Sequence, residues 1–242
     1  MSQVVQKFNS LSRSRRTSLV AGLLFAATFI TSIPAVLLYD PILNNSGFIL
    51  GAGGETRVLV GAVLELLLIA ANIGTALVLY PVLRRQSEVA ALGWVSARIM
   101  ESAFIAVGIL SLLAIVTLRQ DSSADAGTLV AIQDSLVAIH DWTFRLGPGL
   151  VVGIGNGLLL GYLMFKSGLV PRGMAMFGLI GGPILFLSGI AVVLGILDPG
   201  SPIKGAAAIP EIIWEASLTY YLIFKGFRPS PVLDGYDDET VA

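Results

Sequence analysis

The chain has 242 residues, of which 55% are hydrophobic and 13% are charged, and its net charge is −1. Soluble domains carry about 25% charged residues, so this composition and a mean hydropathy of +0.84 indicate a protein that faces lipid. The near-zero net charge gives no reason to expect nucleic acid as a partner. Cysteine is absent, which excludes disulfides and thiolate metal sites, and His140 is the single histidine. We therefore expect no metal and no cofactor.

The N-terminal segment 1–17 is basic, with Arg13, Arg15 and Arg16 ahead of an apolar run over residues 18–38. The apolar core of a signal peptide is only about 7–15 residues long. We therefore interpret this run as an uncleaved first membrane span.

Six stretches contain the roughly 20 mostly apolar residues that a membrane helix requires. They are residues 18–38, 58–83, 93–118, 143–165, 174–197 and 206–227. None of them alternates with the period of two that is typical of a membrane strand. The sequence therefore predicts an all-α, polytopic membrane helix bundle with six transmembrane helices, formed by one domain over residues 18–227. Residues 119–141 are expected to be the longest loop, and the acidic end 228–242 is expected to be a disordered tail.

The Lys and Arg residues predict the orientation, because short cytoplasmic loops are enriched in them. With a cytoplasmic N-terminus, the outside segments hold only Arg57, Arg119 and Lys204. The inside segments hold Lys7, Arg13, Arg15, Arg16, Arg84, Arg85, Lys166, Arg172, Lys225 and Arg228. This bias requires an even number of spans and predicts that both termini are cytoplasmic.

Ionisable residues inside the spans are the most informative feature, because each costs about 2.5–3.5 kcal/mol at the centre of a membrane helix. The charged residues predicted within spans are Glu65, Arg98, Glu101, Glu211 and Glu215. To be tolerated, they must lie near an interface, form pairs, be neutral or face water. The candidate ligand-binding residues are these five together with Asn72, Arg145 and Asn156.

Helical spacing predicts which of these residues share a face. Arg98 and Glu101 are three apart and are expected to pair. Asp141 precedes Arg145 by four and can pair with it if the helix begins early. Two polar stripes are predicted, one from Glu65 to Asn72 and one from Arg145 to Asn156. Glu211 and Glu215 are four apart.

Depth divides the candidates into an outer and an inner group. Glu65, Arg145, Glu211 and Glu215 belong to the outer half, and a cluster of these four is geometrically feasible. Arg98 and Glu101 belong to the inner half.

Each residue also has a structural interpretation. Arg145 and Glu211 can be solvated near an interface, the Arg98–Glu101 pair can be structural, and the two asparagines can join helices. Glu65 and Glu215 have no basic residue three or four positions away.

Two further features have mainly structural interpretations. Gly149, Gly153 and Gly157 recur every four residues, which allows two membrane helices to approach closely. His140 is expected in a loop or at the membrane interface, and a role in proton transfer is the alternative. We expect spans two, three, four and six to surround a small polar site, with the uncharged spans one and five at the periphery.

The chain also resembles a known family through several short segments. They are Glu65 with the exit Leu-Tyr-Pro-Val-Leu-Arg-Arg at 79–85, Arg98 with Glu101, Leu-Gly-Pro-Gly at 146–149, Gly-Tyr-Leu at 161–163, Ser-Gly-Leu-Val-Pro-Arg at 167–172, and Glu215 with Lys-Gly-Phe at 225–227. Over residues 13–227 it resembles the prokaryotic six-helix membrane family catalogued as domain of unknown function 4386. The resemblance implies a multi-pass protein of the bacterial inner membrane and no specific activity.

Two functional classes are open at this stage. The first is a non-enzymatic membrane protein. It either binds or translocates a small hydrophobic or ionic ligand at a polar site built on Glu65 and Glu215, or it serves as a subunit of a larger membrane complex. Its partners are then the lipid bilayer and a ligand, other membrane subunits or a second copy of the chain. The alternative is an intramembrane enzyme that acts on a lipid or prenyl substrate with a glutamate as acid and base.

Overall fold

A computed structural model describes residues 8, 10–51, 53–120 and 124–238, and all regular secondary structure in these residues is helical. The six long helices are α1 Arg13–Leu38, α2 Glu55–Leu83, α3 Glu88–Gln120, α4 Ala126–Ser167, α5 Arg172–Val193 and α6 Pro202–Phe224. Short helical turns at Asp40–Leu43, Phe48–Leu50 and Pro231–Leu233 lie outside them. Each predicted span overlaps one long helix, which confirms the predicted all-α class.

Helices α1 to α5 are long and apolar enough to cross a membrane. Helix α6 has 23 residues, but it does not belong to this set. Lys204, Glu211 and Glu215 lie within it and reduce its hydropathy. The hydropathy of the described helices therefore supports five spans directly.

The helices form a ring. Each helix packs against the next along the chain, and α6 returns to pack against α1. One end of the ring, here called the terminal end, holds residues 10–12, 84–87, 168–171 and 225–238. The opposite end, here called the loop end, holds residues 39–51, 53, 54, 124, 125 and 194–201. Residues of all six helices border the centre of the ring.

Helix α4 differs most from its prediction. It is α-helical over Ala126–Leu146, contains the π-helical segments Gly147–Val151 and Gly153–Leu160, and returns to α-helix over Gly161–Ser167. The predicted loop 119–141 is therefore wrong, since most of it belongs to α3 and α4. Asp125 caps α4 by accepting hydrogen bonds from the Thr128 hydroxyl at 2.6 Å and the Thr128 amide at 3.0 Å. These bonds lower the pKa of the Asp125 carboxyl.

Helices α3 and α4 are longer than the hydrocarbon core of a bilayer is thick. Helix α3 has 33 residues, about 50 Å at 1.5 Å per residue, whereas the hydrocarbon core is about 30 Å thick. The buried side chain of Gln133 on α4 accepts a hydrogen bond from the Ile49 amide at 2.8 Å and donates one to the Asn45 carbonyl at 2.7 Å. This residue fixes the α1–α2 connection to the N-terminal half of α4.

The terminal end is closed by a large apolar cluster. Trp94, Leu163, Trp214 and Leu222 belong to it, and the tail residue Tyr236 is also buried there. Tyr236 lies under the guanidinium of Arg13, which is 4.3 Å from the ring centroid. In contrast to the expectation of a disordered tail, Tyr236 and its basic partners Arg13 and Arg85 hold residues 228–238 against the bundle. Residues 239–242 lie outside the described residues.

The glycine strip on α4 forms a close contact with α5, as its spacing predicts. A Cβ atom at Gly153 would lie 2.6 Å from the Gly182 carbonyl oxygen, and one at Gly157 would lie 2.9 Å from the Gly182 nitrogen. A Cβ atom at Gly189 would lie 2.9 Å from the Gly149 carbonyl oxygen. The two backbones are thus so close that only glycine fits at these positions.

Candidate functional site

A cavity of about 780 Å³ occupies the centre of the ring. It is bordered towards the loop end by the exposed residues Pro199 and Gly200, whereas the apolar cluster closes the terminal end. Helix α1 lines it with Thr28 and Ser32, and α5 lines it with Gly189. The expectation that spans one and five lie at the periphery is therefore wrong, because every helix of the ring has an inner face that lines the cavity.

The structure brings the predicted polar residues to this cavity. Seven of the eight predicted candidates line it, namely Glu65, Asn72, Arg98, Glu101, Arg145, Glu211 and Glu215. Asn156 lies next to one of them, because its side-chain amide donates a hydrogen bond to the Glu215 carboxylate. The prediction thus identified residues that share one internal space, although it divided them into two groups.

The central hydrogen-bonded unit joins α2 to α3. Arg98 and Glu101 form a buried ion pair with 2.7 Å between Nη1 and Oε2, as their spacing predicts. Asn72 donates a hydrogen bond to Glu101 Oε1 at 3.2 Å and accepts one from Arg98 Nη2. A side chain from the neighbouring helix therefore holds both charged groups. We call Asn72, Arg98, Glu101, Glu211 and Glu215 the polar floor of the cavity.

Asn156 supports this floor by joining three helices. Its side-chain oxygen accepts a hydrogen bond from Trp94 Nε1 on α3 at 3.0 Å, and its backbone carbonyl accepts one from Trp214 Nε1 on α6 at 2.8 Å. Its amide holds Glu215. The predicted role of Asn156 as a link between helices is consistent with these contacts. The two tryptophans were not identified from the sequence, although Trp94 precedes Arg98 by one helical turn.

Glu211 is buried, with 3% of its surface exposed. A Cβ atom at Gly157 would lie 2.6 Å from Glu211 Oε2, so the glycine makes room for the carboxyl group. Neither carboxyl oxygen has a hydrogen-bond partner among the described residues. The interpretation of Glu211 as a solvated interface residue is wrong, because the α4–α6 contact encloses it.

The floor carries more acidic than basic groups. Glu101, Glu211 and Glu215 line the same cavity as Arg98. The floor thus holds three carboxyl groups and one guanidinium, and that guanidinium already forms an ion pair with Glu101. The predicted division into an inner pair and an outer cluster does not match this arrangement, because the four side chains line one internal space.

Glu65 forms a second polar group nearer the loop end. The Tyr39 hydroxyl donates a hydrogen bond to Glu65 Oε2 at 2.8 Å. The ring of Tyr39 contacts the ring of His140 edge to face, with 5.6 Å between centroids. His140 is buried and lines the cavity, so the expectation that it lies in a loop is wrong. Its position follows from the early start of α4.

Basic groups border the cavity beyond the floor. Arg145 pairs with Asp141 at 3.5 Å, and its guanidinium lies 5.1 Å from the centroid of the Trp142 ring. The Asp141–Arg145 pair is as predicted, but the outer cluster of Arg145 with three glutamates is not formed. Lys204, which the sequence assigns to an outside segment, donates hydrogen bonds to the Gly149 carbonyl at 2.9 Å and to Ser188 Oγ at 3.0 Å.

No group of three or more His, Cys, Asp or Glu side chains in the described part of the chain is arranged to hold a metal ion. The side chains at this site offer hydrogen bonds and ion pairs.

Comparison with known proteins gives one match. No curated protein and no solved structure matches the chain. The family described as Domain of unknown function (DUF4386) matches residues 20–226, which include all six helices apart from the first turns of α1. The match covers most of the chain and agrees with the resemblance noted in the sequence, so the protein belongs to this family of unknown function.

Proposed function

We propose that this is a six-span protein of the bacterial inner membrane, with both termini in the cytoplasm, that binds a small cationic ligand in its central cavity. The ring supports six spans, because α6 packs between α5 and α1 and its carboxyl groups face the interior. Basic residues such as Arg15, Arg84 and Lys225 lie at the terminal end, which supports a cytoplasmic position for that end.

The excess of carboxyl groups on the polar floor carries this proposal. Among the described residues, Glu211 and Glu215 form no ion pair, and Glu211 also lacks a hydrogen-bond donor. An ionised carboxylate without a partner in a buried position costs several kcal/mol. A cation bound between these two groups would supply the missing positive charge and donors. An anion would instead meet repulsion from both carboxylates.

The placement of the polar groups also favours ligand binding over a role as a complex subunit. Polar side chains that contacted another subunit would lie on the outer surface of the ring, whereas Asn72, Arg98 and Glu101 are buried inside it. The volume of about 780 Å³ lies within the range of small-molecule sites, about 300–1,000 Å³. The arrangement therefore suits one small molecule enclosed by the bundle.

The test is a binding titration on the full-length protein in lipid nanodiscs. Dodecylammonium serves as the cationic probe, and dodecanol and dodecanoate are the matched neutral and anionic probes. We expect saturable binding of dodecylammonium only. Glu211→Gln and Glu215→Gln should each weaken it by about 10- to 100-fold, because a hydrogen bond to a charged group contributes about 1.5–3 kcal/mol.

Glu88→Gln is the matched control, because Glu88 is an exposed residue of α3 at the terminal end. This variant should bind like the wild type. Equal binding of all three probes, or unchanged affinity in both floor variants with intact helical content, would refute a cation site at the floor.

A further inference from the structure

We infer that the ligand reaches the cavity sideways from the bilayer, through a gap between α1 and α6 in the loop-end half of the ring. The inference rests on the proposed function and specifies its ligand as an amphiphile with a protonated amine and an apolar chain. The gap, here called the seam, is bordered by Phe29, Ile33 and Val36 on α1 and by Ala208 and Ile212 on α6.

Helices α1 and α6 meet closely at the terminal end. A Cβ atom at Gly22 would lie 2.9 Å from the Ile223 nitrogen and 3.0 Å from Leu222 Cβ. Arg15 donates a hydrogen bond to the Leu222 carbonyl at 2.9 Å. The ring is therefore firmly closed between these helices in its terminal half.

At the loop end, α1 is held towards α2. The Tyr39 hydroxyl binds Glu65, and a Cβ atom at Gly61 would lie 2.7 Å from the Tyr39 ring. Arg57 donates a hydrogen bond to the Leu37 carbonyl at 3.1 Å. All these contacts hold the end of α1 on the side away from α6.

The beginning of α6 is held in the opposite direction. Lys204 binds the Gly149 carbonyl on α4 and the Ser188 hydroxyl on α5. A Cβ atom at Gly181 on α5 would lie 2.8 Å from Pro210 Cβ on α6. The loop-end parts of the two helices are thus each fixed to their other neighbour.

The side chains along the seam are apolar, and three of the five are exposed although they line the cavity. The exposed fractions are 59% for Ile33, 48% for Val36 and 54% for Ile212. An apolar chain lying in the seam would remain in contact with lipid, while an amine at its inner end would reach Glu211 and Glu215. A ligand of this shape satisfies the charge of the floor and the apolar surface of the seam together.

Fluorescence quenching tests this route, because Trp94 and Trp214 are fully buried next to the floor. The third tryptophan is removed by Trp142→Phe, and all proteins are studied full-length in nanodiscs. The probes are 4-amino-TEMPO, added from water, and its N-dodecyl derivative, dissolved in the bilayer. A neutral dodecyl ester of 4-hydroxy-TEMPO measures the quenching that arises from the surrounding lipid alone.

The critical variant is Ala208→Phe, which fills the seam. Its matched control is Ile209→Phe at the adjacent exposed residue, outside the cavity lining. We expect Ala208→Phe to slow quenching by the dodecyl amine about tenfold, equivalent to ~1.4 kcal/mol of added barrier. It should leave quenching by 4-amino-TEMPO and the behaviour of the control unchanged.

The possible outcomes separate the route from the site. Equal rates for Ala208→Phe and Ile209→Phe, or equal slowing of both amine probes, would overturn lateral access while leaving the cation site in place. If neither amine quenched the wild type above the neutral ester, the proposed function itself would fail. Competition by phosphatidylethanolamine in the nanodisc would identify a lipid headgroup as the source of the amine. Competition by dodecylammonium alone would identify a free lipophilic amine as the ligand. Either result supports the inference.

Discussion

The polar floor predicts a strong energetic coupling between Arg98 and Glu101. In Arg98→Met, Glu101 loses its counter-ion and Asn72 loses the donor to its side-chain oxygen. Breaking one partner out of a buried pair costs about 3–5 kcal/mol. Glu101→Met should lower the free energy of unfolding by a similar amount. It leaves the Arg98 guanidinium buried, with Asn72 as its only side-chain hydrogen-bond partner among the described residues.

The double variant Arg98→Met/Glu101→Met removes both charges together. Only the Asn72 side chain is then left without its partners, at a cost of about 1–3 kcal/mol. The double variant should therefore be more stable than either single variant. Equilibrium unfolding in mixed detergent micelles, followed by circular dichroism, measures the cycle. Additive losses in the double variant would refute the reasoning, since independently solvated groups do not couple.

Three further predictions concern packing, the tail and the orientation. Gly157→Ala should destabilise the protein by about 1–3 kcal/mol, because the added methyl group overlaps α5. The control Gly173→Ala places its methyl group in open space and should not destabilise the protein in the same thermal melt. Tyr236→Ala should accelerate hydrogen exchange in residues 228–238 and leave the six helices protected, since the buried ring fixes only the tail. The chain has no native cysteine, so single introduced cysteines can report the orientation. A membrane-impermeant maleimide should label Ser46→Cys in intact cells and Glu88→Cys only after lysis. The reverse pattern would refute cytoplasmic termini.

Local patterns in the sequence were sufficient to predict the helices and the pairs within one helix. The apolar runs identified six helices, and a spacing of three or four residues identified Arg98–Glu101 and Asp141–Arg145. These features depend only on the geometry of a single helix. Hydropathy did not detect the first half of α4, because that half extends beyond the apolar run. A stripe including Leu129, Gln133 and His140 was nevertheless present as a signal, and all three residues are buried.

Contacts between helices were not accessible in the same way, because they depend on the order and rotation of the helices in the ring. The partners Tyr39 for Glu65 and Trp94 for Asn156 come from other helices. One signal was overlooked on α6, where Glu211, Trp214 and Leu218 follow at helical spacing and are all buried. This stripe indicates that Glu211 faces the interior of the bundle.

The predicted stripe from Arg145 to Asn156 shows how a local distortion changes a site. Eleven residues are close to three turns of a regular α-helix, which would place both side chains on one face. The π-helical segments between them have wider turns, so the angular relation is different. Arg145 consequently lines the cavity, while Asn156 contacts the tryptophans that support the floor. The distortion thus allows α4 to present glycines to α5 and an asparagine to α3 and α6.

Glu211 provides a test of whether the floor serves stability or binding. Its carboxyl group is buried, has no hydrogen-bond donor among the described residues and occupies space that Gly157 leaves free. An unsatisfied buried polar group costs about 1–3 kcal/mol, so Glu211→Met should raise the free energy of unfolding by about that amount. The same variant should lose saturable binding of dodecylammonium. A stabilised protein without binding is the expected signature of a residue kept for function at the expense of stability. A destabilised Glu211→Met, measured in the same unfolding assay as Glu88→Gln, would show instead that the carboxyl group supports the fold.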